Sequence, residues 1–307
     1  MIDNYAGELS ALLTAVFWTI TALAFESASK KVGSLPVNII RLFLAFLLLG
    51  FFGLATRGSF FPLGASSHQW IWLSLSGLIG FVLGDLFLFQ AYVVVGARIS
   101  MLIMALAPPI AALTGWLIIG ETMSLKALFG MILTLAGISM AILARKEPNG
   151  TAPNGRFSNP FKFKYPLKGL LLAFGGAAGQ GVGLVLSKFG MQDYNAFAAS
   201  QIRVLTGVAG FVIVITAYRS WGSVRAALEN RKALKRLSIG AFFGPFLGVS
   251  FSLIAVKYTS SGIASTIMSI VPVLIIAPAV ILMKEKVSWR EIAGAVVAVA
   301  GVSLFFL

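Results

Sequence analysis

Apolar residues fall into ten runs of bilayer length, at about 9–29, 38–56, 70–92, 99–119, 125–144, 168–188, 197–217, 237–257, 262–283 and 289–307. About 20 such residues carry a helix across a hydrocarbon core. No run alternates polar and apolar positions as a barrel strand does, and a helix satisfies all its own backbone groups inside lipid. The pattern therefore predicts an all-α integral membrane protein with ten transmembrane helices. The residues before the first run, MIDNYAGE, hold acids and no Lys or Arg. The first run thus reads as a retained span and not as a cleaved signal.

The apolar pattern also repeats. A shift of 164 positions superposes Gly80 on Gly244, Gly84 on Gly248, Pro108 on Pro272, Glu121 on Glu285, Gly130 on Gly294 and Gly137 on Gly301, without a gap. A fainter match at an offset of 162 brings Arg41 onto Arg203, Trp18 onto Gln180 and Glu26 onto Lys188. The chain divides into a first five-helix half (1–144), a basic linker (145–166, rich in Pro, Gly and Asn) and a second five-helix half (167–307). Five is odd, so the second half enters the membrane from the opposite side. The two halves then form an inverted repeat, an architecture that secondary transporters use to expose one site to alternate sides. A second polar stretch, 218–236, is basic and has room for a short surface helix.

Composition agrees with this class. Charged residues make up 11% of the chain and hydrophobic ones 58%, against about 25% charged in soluble domains. There is no cysteine and one histidine, His68, in a polar SSHQ stretch where it reads as solvated. Disulfides, thiolate metal sites and Cys nucleophiles are excluded, haem, zinc and Ser-His-Asp chemistry have little to work with, and neither a metal nor a cofactor is expected. The net charge of +14 points to anionic lipid headgroups at one face and not to nucleic acid. On the face of the N-terminus the loops carry four Lys or Arg, and on the other face eighteen. The positive-inside rule then makes the basic loops cytoplasmic and puts both termini outside.

The repeated blocks read ALAPPIAALTGWLIIGETMSLKALFGMILTLAGISMAIL and SIVPVLIIAPAVILMKEKVSWREIAGAVVAVAGVSLFFL. With the Trp18 segment TAVFWTITALA, they resemble the EamA family of the drug/metabolite transporter superfamily: a proline in the fourth helix of a half, a Gly/Lys-Glu turn, then a glycine-spaced fifth helix. The resemblance covers nearly the whole chain outside 145–166 and 218–236. It implies a central cavity lined by helices 1–4 and 6–9, with helices 5 and 10 peripheral. It implies export of metabolites, with relatives moving amino acids, nucleotide sugars, phosphorylated sugars and cationic drugs. It also implies cytoplasmic termini, against this chain's own charges, and an aromatic partner for Trp18 where this chain has Gln180.

Several residues stand out as cavity candidates. Asp85 is an acid in mid-span, where a charge costs at least about 2.5–3.5 kcal/mol unless it meets a partner or a cavity. It is read either as a proton-coupling group or as the structural partner of Arg41, with Glu26 completing a cluster at the cytoplasmic mouth. Its repeat mate is Val249, so Arg203 and Lys188 have no acid on their own helices. Cations beside a cavity suit a carboxylate or phosphate, and the plainer alternative is snorkelling to the interface or compensation by Asp193. Gln180 lies in GAAGQGVG, whose glycines read as a packing face. Trp18, Met101, Met104 and Met268 read as cavity or core. Pro108, Pro109 and Pro272 break backbone bonds in mid-span, and Pro108 and Pro272 read as paired hinges. Glu121 and Glu285 read as caps on the helices that follow them.

These readings converge on a secondary transporter, not an enzyme, in a plasma (inner) membrane. It moves small polar or amphipathic metabolites such as amino acids or drugs, as a monomer or homodimer. The alternatives are a membrane transferase acting on a lipid-linked or prenyl substrate, which needs clustered acids for a metal, and a passive channel.

Overall fold

The computed structural model describes residues 5–144, 166–283 and 287–306. Within its helices the side chains at 26–27, 29–30, 92–93, 96–99, 101–102, 142–144, 279 and 282–283 lie outside the description, and so do Glu26, Met101 and Glu285 as candidates. Every regular element among the described residues is helical.

The first half opens with α1 (Ala6–Val32) and α2 (Ser34–Arg57). Gly33 separates them at φ 85°, ψ 165°, a backbone region open only to glycine. The helix α3 (Ser67–Gly77) starts in a capping box, with Ser66 and Gln69 each accepting the other's backbone N–H. It passes through a π-helical segment (Leu78–Gly84) into α4 (Asp85–Met104). Then come α5 (Ala107–Ile119) and α6 (Leu125–Ala144). The second half has α7 (Leu167–Met191), α8 (Ala196–Ala217), α9 (Trp221–Glu229) and α10 (Arg231–Ala241). A second π segment (Phe242–Gly248) leads into α11 (Val249–Tyr258). The chain ends with α12 (Ser261–Met268), α13 (Val271–Leu274), α14 (Ile276–Met283) and α15 (Trp289–Ser303).

Seven stretches of the described residues are long and apolar enough to cross a membrane. The helices at 107–119 and 125–141 are shorter apolar segments. The stretch 125–141 is the described part of the 20-residue α6, whereas the shortness of 107–119 has a covalent cause. Pro108 and Pro272 break backbone bonds in mid-span, as the sequence predicts, but not as kinks in continuous helices. Each lies in the first turn of a new helix, after a break at 105–106 or 269–270. Early in a helix the missing N–H has no partner to lose, so proline is tolerated there. The 218–236 stretch also differs from expectation. Its surface helix is α9, while residues 231–236 already belong to α10 and a 28-residue span, Arg231–Tyr258.

Glycines set the helix pairings. A Cβ on Gly176 would lie 3.1 Å from Leu88, one on Gly179 2.7 Å from Gly84 and one on Gly183 3.1 Å from Gly80. The glycine face of α7 thus runs antiparallel along the first π segment and α4. Farther along, Gly169 meets Val95 whereas Gly181 meets Ala107. The chain therefore reverses direction relative to α7 between Val95 and Ala107, although α4 spans the gap left between two apolar runs. In the other half, Gly240, Gly244 and Gly248 take Phe25, Thr21 and Trp18 of α1 in the same manner. The helices α6 and α15 also run antiparallel: Gly130 packs on Gly301, and Gly137 on Gly294 and Ala298. Small residues at such crossings bring backbones close enough for dispersion to hold helices together in lipid. Tyr5 and Phe306 stack with centroids 5.8 Å apart, so both described ends lie at one face.

Candidate functional site

A cavity of about 290 Å³ lies among α1, α2, α4, α7, α8, α11 and the broken helices around 105 and 269. Its polar wall holds Arg41, Asp85, Gln180 and Arg203, and its apolar wall includes Trp18, Leu88, Met104, Leu184 and Met268. Both halves contribute to each wall. Ligand sites commonly have this form, apolar surface with a few convergent polar groups.

Asp85 follows the first π segment directly. π turns in helices mark functional sites more often than chance, because the added residue re-aims the side chains after it. Bare glycine surfaces then let a second helix reach this acid. With Gly179 against Gly84, the neighbouring Gln180 donates from Nε2 to Asp85 Oδ1 at 3.2 Å. Arg41 forms an ion pair with Asp85 Oδ2 and lies over the Phe25 ring, 5.4 Å from its centroid. Both carboxylate oxygens of Asp85 therefore have partners, and its residue is 6% exposed. Of the two readings open from the sequence, the ion pair with Arg41 is the one the geometry contains. No described contact tests the coupling reading.

Arg203 is differently placed. It is 5% exposed and sits 4.9 Å above the Phe81 ring. Glycines make its room: a Cβ on Gly77 would lie 2.5 Å from the Arg203 carbonyl oxygen, and one on Gly80 3.5 Å from Nη2. Arg203 forms no ion pair among the described residues, Asp85 acting on it only through space, and its Nε, like that of Arg41, is buried without a partner. Arg41 and Arg203 are each the eighth residue of their helix. One has an acid facing it; for the other, Val249 stands where the repeat would place that acid and lines the cavity as an apolar residue.

Lys188 is not the free cation the sequence allows. Its Nζ lies 2.5 Å from Glu121 Oε1 and donates to the Thr259 carbonyl at 2.7 Å. Glu121 does not cap the helix that follows it. Its Oε2 accepts the Ser261 N–H at 2.9 Å, so it caps the start of α12 in the other half. Three segments distant in sequence meet there, at the face of the described ends and outside the cavity. Asp193 pairs with Lys257, 3.9 Å away, and not with Lys188 or Arg203. His68 is half-buried and not simply solvated: Nε2 lies 3.2 Å from the Phe189 carbonyl oxygen, and the ring packs on Trp72 and Phe189.

Trp18, Met104, Met268 and Pro272 line the cavity, and Pro108 is buried beside it between Ala107 and the rest of α5. Met101 lies outside the described side chains. Sequence reasoning missed Phe81, Ser252, Ser265 and Ser269, all in the wall. Helical spacing carried a signal for some of them. Phe81 precedes Asp85 by four, and Ser265 precedes Ser269 by four next to the proline break, the spacing that puts two side chains on one face of a regular α-helix.

A family model described as the EamA-like transporter family matches residues 5–143 and again 167–307. A solved structure titled "Crystal structure of protein" superposes with a TM-score of 0.71, covering 97% of this chain and 96% of its own at 18% identity. That is a likeness of fold alone. No curated protein matches the chain.

Proposed function

Because the chain belongs to the EamA-like transporter family, whose model covers both of its halves, we propose that it is a secondary transporter of small polar or amphipathic metabolites. The cavity walled by polar groups from both halves carries this reading. A site shared between two halves changes its exposure when they rock against each other.

The working form is ten spans, as two inverted five-helix halves. Three observations support it. The described ends share one face. The repeat mates Gly130/Gly294 and Gly137/Gly301 pack crosswise on antiparallel helices. The π segments and the proline breaks recur at matching positions. The breaks at 105–106 and 269–270 serve as hinges, since Pro108, Pro109 and Pro272 free the carbonyls of Met104, Ala105 and Met268 from helical bonding. The Glu121–Lys188 tie closes the face of the termini and has to part when the cavity opens there. The charge count, eighteen Lys or Arg against four, supports an outside position for that face in a plasma (inner) membrane, and the family supports export as the direction. Asp85 is the coupling group of the proposal, because a proton on its carboxylate releases Arg41.

Proteoliposomes containing the purified chain test the reading. Saturable counterflow of a labelled small metabolite is expected. Flux that rises linearly with concentration and shows no counterflow would replace the carrier with a channel.

A further inference from the structure

We propose that the cavity takes an amphipathic organic anion, with a carboxylate or phosphate head on Arg203 and an apolar body against Trp18, Met104 and Met268. This deepens the transport reading and rests on it.

The argument starts from charge. Arg41, Asp85 and Arg203 share one cavity wall, which leaves a net charge of +1 in a low-dielectric setting. Asp85 is fully engaged by Arg41 and Gln180. Arg203, 95% buried by its 5% exposure, forms no ion pair among the described residues; Asp85 acts on it only through space, and its Nε is unpartnered, as is that of Arg41. A buried charge left alone is strongly unfavourable, and the same charge matched by a bound counter-charge is not. A neutral ligand leaves Arg203 uncompensated, and a cationic one adds a second unmatched charge. Only an anion neutralises the wall. The guanidinium is planar and carries its donors in a fork that fits an oxyanion.

Snorkelling does not explain Arg203. It lies over Phe81, beside Gly77 and Gly80, in the cavity wall. The twin position argues the same way. Arg41 occupies the equivalent place in α2 and is matched by Asp85, while the residue equivalent to Asp85 is Val249. Where the first half supplies its own counter-charge, the second leaves that place to the ligand. Other donors are available in the same wall. Trp18 and Ser265, which carry an indole N–H and a hydroxyl, are among the residues of the wall. At about 290 Å³ the cavity sits at the small end of the roughly 300–1,000 Å³ usual for ligand sites, which suits a small metabolite with a single head group.

The test uses four probes with one phenylalkyl body and different heads: 3-phenylpropionate, 2-phenylethyl phosphate, 3-phenylpropylamine and 3-phenylpropanol. Their affinities are measured calorimetrically on the full chain in phosphatidylcholine nanodiscs. At least one anion should bind roughly tenfold to hundredfold more tightly than the alcohol, the factor a charged hydrogen bond contributes, and the amine should bind most weakly. The better anion identifies the head group. Arg203→Gln should remove that advantage, so that on the same variant the anions bind no more tightly than the alcohol, and Arg203→Lys should recover part of it. An amine or alcohol that matches both anions, a folded Arg203→Gln chain with unchanged anion affinity, or no binding by any probe would overturn the proposal. If Arg203→Gln does not fold, the head-group ranking of the unaltered protein still decides. Counterflow separates the two readings. Counterflow of the amine alone sinks the anion site and keeps the transporter, and an anion that binds without counterflow keeps the site and sinks the transporter.

Discussion

Removing the Glu121 carboxylate should loosen the tie between the halves and open the cavity toward the face of the termini. Glu121 makes two contacts across the halves, the Lys188 ion pair at 2.5 Å and the Ser261 N–H at 2.9 Å. Its side chain is 12% exposed and that of Lys188 22%, so solvent screens the pair little. Glu121→Ala loses a charge-assisted hydrogen bond, about 1.5–3 kcal/mol, and leaves Lys188 with only the Thr259 carbonyl, for a total of about 2–4 kcal/mol. At ~2.1 cal/mol/K per residue, 307 residues give an unfolding entropy of ~0.64 kcal/mol/K. The expected fall in Tm is then about 3–6 °C, read by tryptophan fluorescence in detergent. Glu121→Gln keeps an acceptor for Ser261 and should lose about half as much. The double variant Glu121→Gln/Lys188→Met should lose less than the sum of the single ones, with a coupling of about 1 kcal/mol or more. A second assay reads access. The chain has no cysteine, so Ser265→Cys is a lone reporter in the cavity wall. Its reaction with a membrane-impermeant thiol reagent applied from the face of the termini should speed up several-fold when Glu121→Gln is added. Unchanged Tm in Glu121→Ala, or additive single variants together with unchanged labelling, would refute the tie.

Asp85→Asn leaves Arg41 without its acid; counterflow should fall at least tenfold and lose any response to an imposed pH gradient, and full activity with an intact pH response would remove Asp85 from coupling. Val249→Asp adds an acid to the wall that holds Arg203 and should weaken the best anionic probe by at least tenfold, measured by the same calorimetry; unchanged affinity would contradict the charge argument. Gly179→Ala places a methyl 2.7 Å from Gly84 Cα and should destabilise by about 1–3 kcal/mol, with Gly222→Ala, whose Cβ meets nothing within 4 Å, as the neutral control in the same melting assay. A C-terminal reporter active only outside the cytoplasm should give signal, and a cytoplasmic signal would reverse the orientation.

Much of the frame was legible in the linear sequence. Hydropathy shows the spans because lipid forces each helix to be apolar over its own length. The 164-residue offset shows the repeat because matched glycines and prolines serve matched backbone needs. Asp85, Arg41, Gln180 and Arg203 were legible as candidates because a polar group in mid-span is unfavourable without a partner or a cavity, wherever it lies. The helix breaks at Pro108 and Pro272 were legible in position, but a kink and a fresh helix start share the same missing N–H, so the sequence did not separate the two.

Partnership was not legible. The sequence offers Lys188 and Arg203 as cations with no acid on their own helices, and the fold pairs Lys188 with Glu121 and gives Arg203 no ion pair among the described residues. It offers Glu121 as a local cap, and the fold uses it on a helix 140 residues away. These outcomes depend on which helices touch and at what height. Glycine faces set that height, bringing α7 against the helix of Asp85 and making room for Arg203 beside Gly77 and Gly80. The sequence by itself thus determined the membrane class, the repeat and the set of polar groups needing partners, because each follows from short-range spacing and the cost of burial. Only the tertiary structure decided which of those groups find partners within the protein. Electrostatic pairing acts over a few ångströms in space and takes no account of distance along the chain.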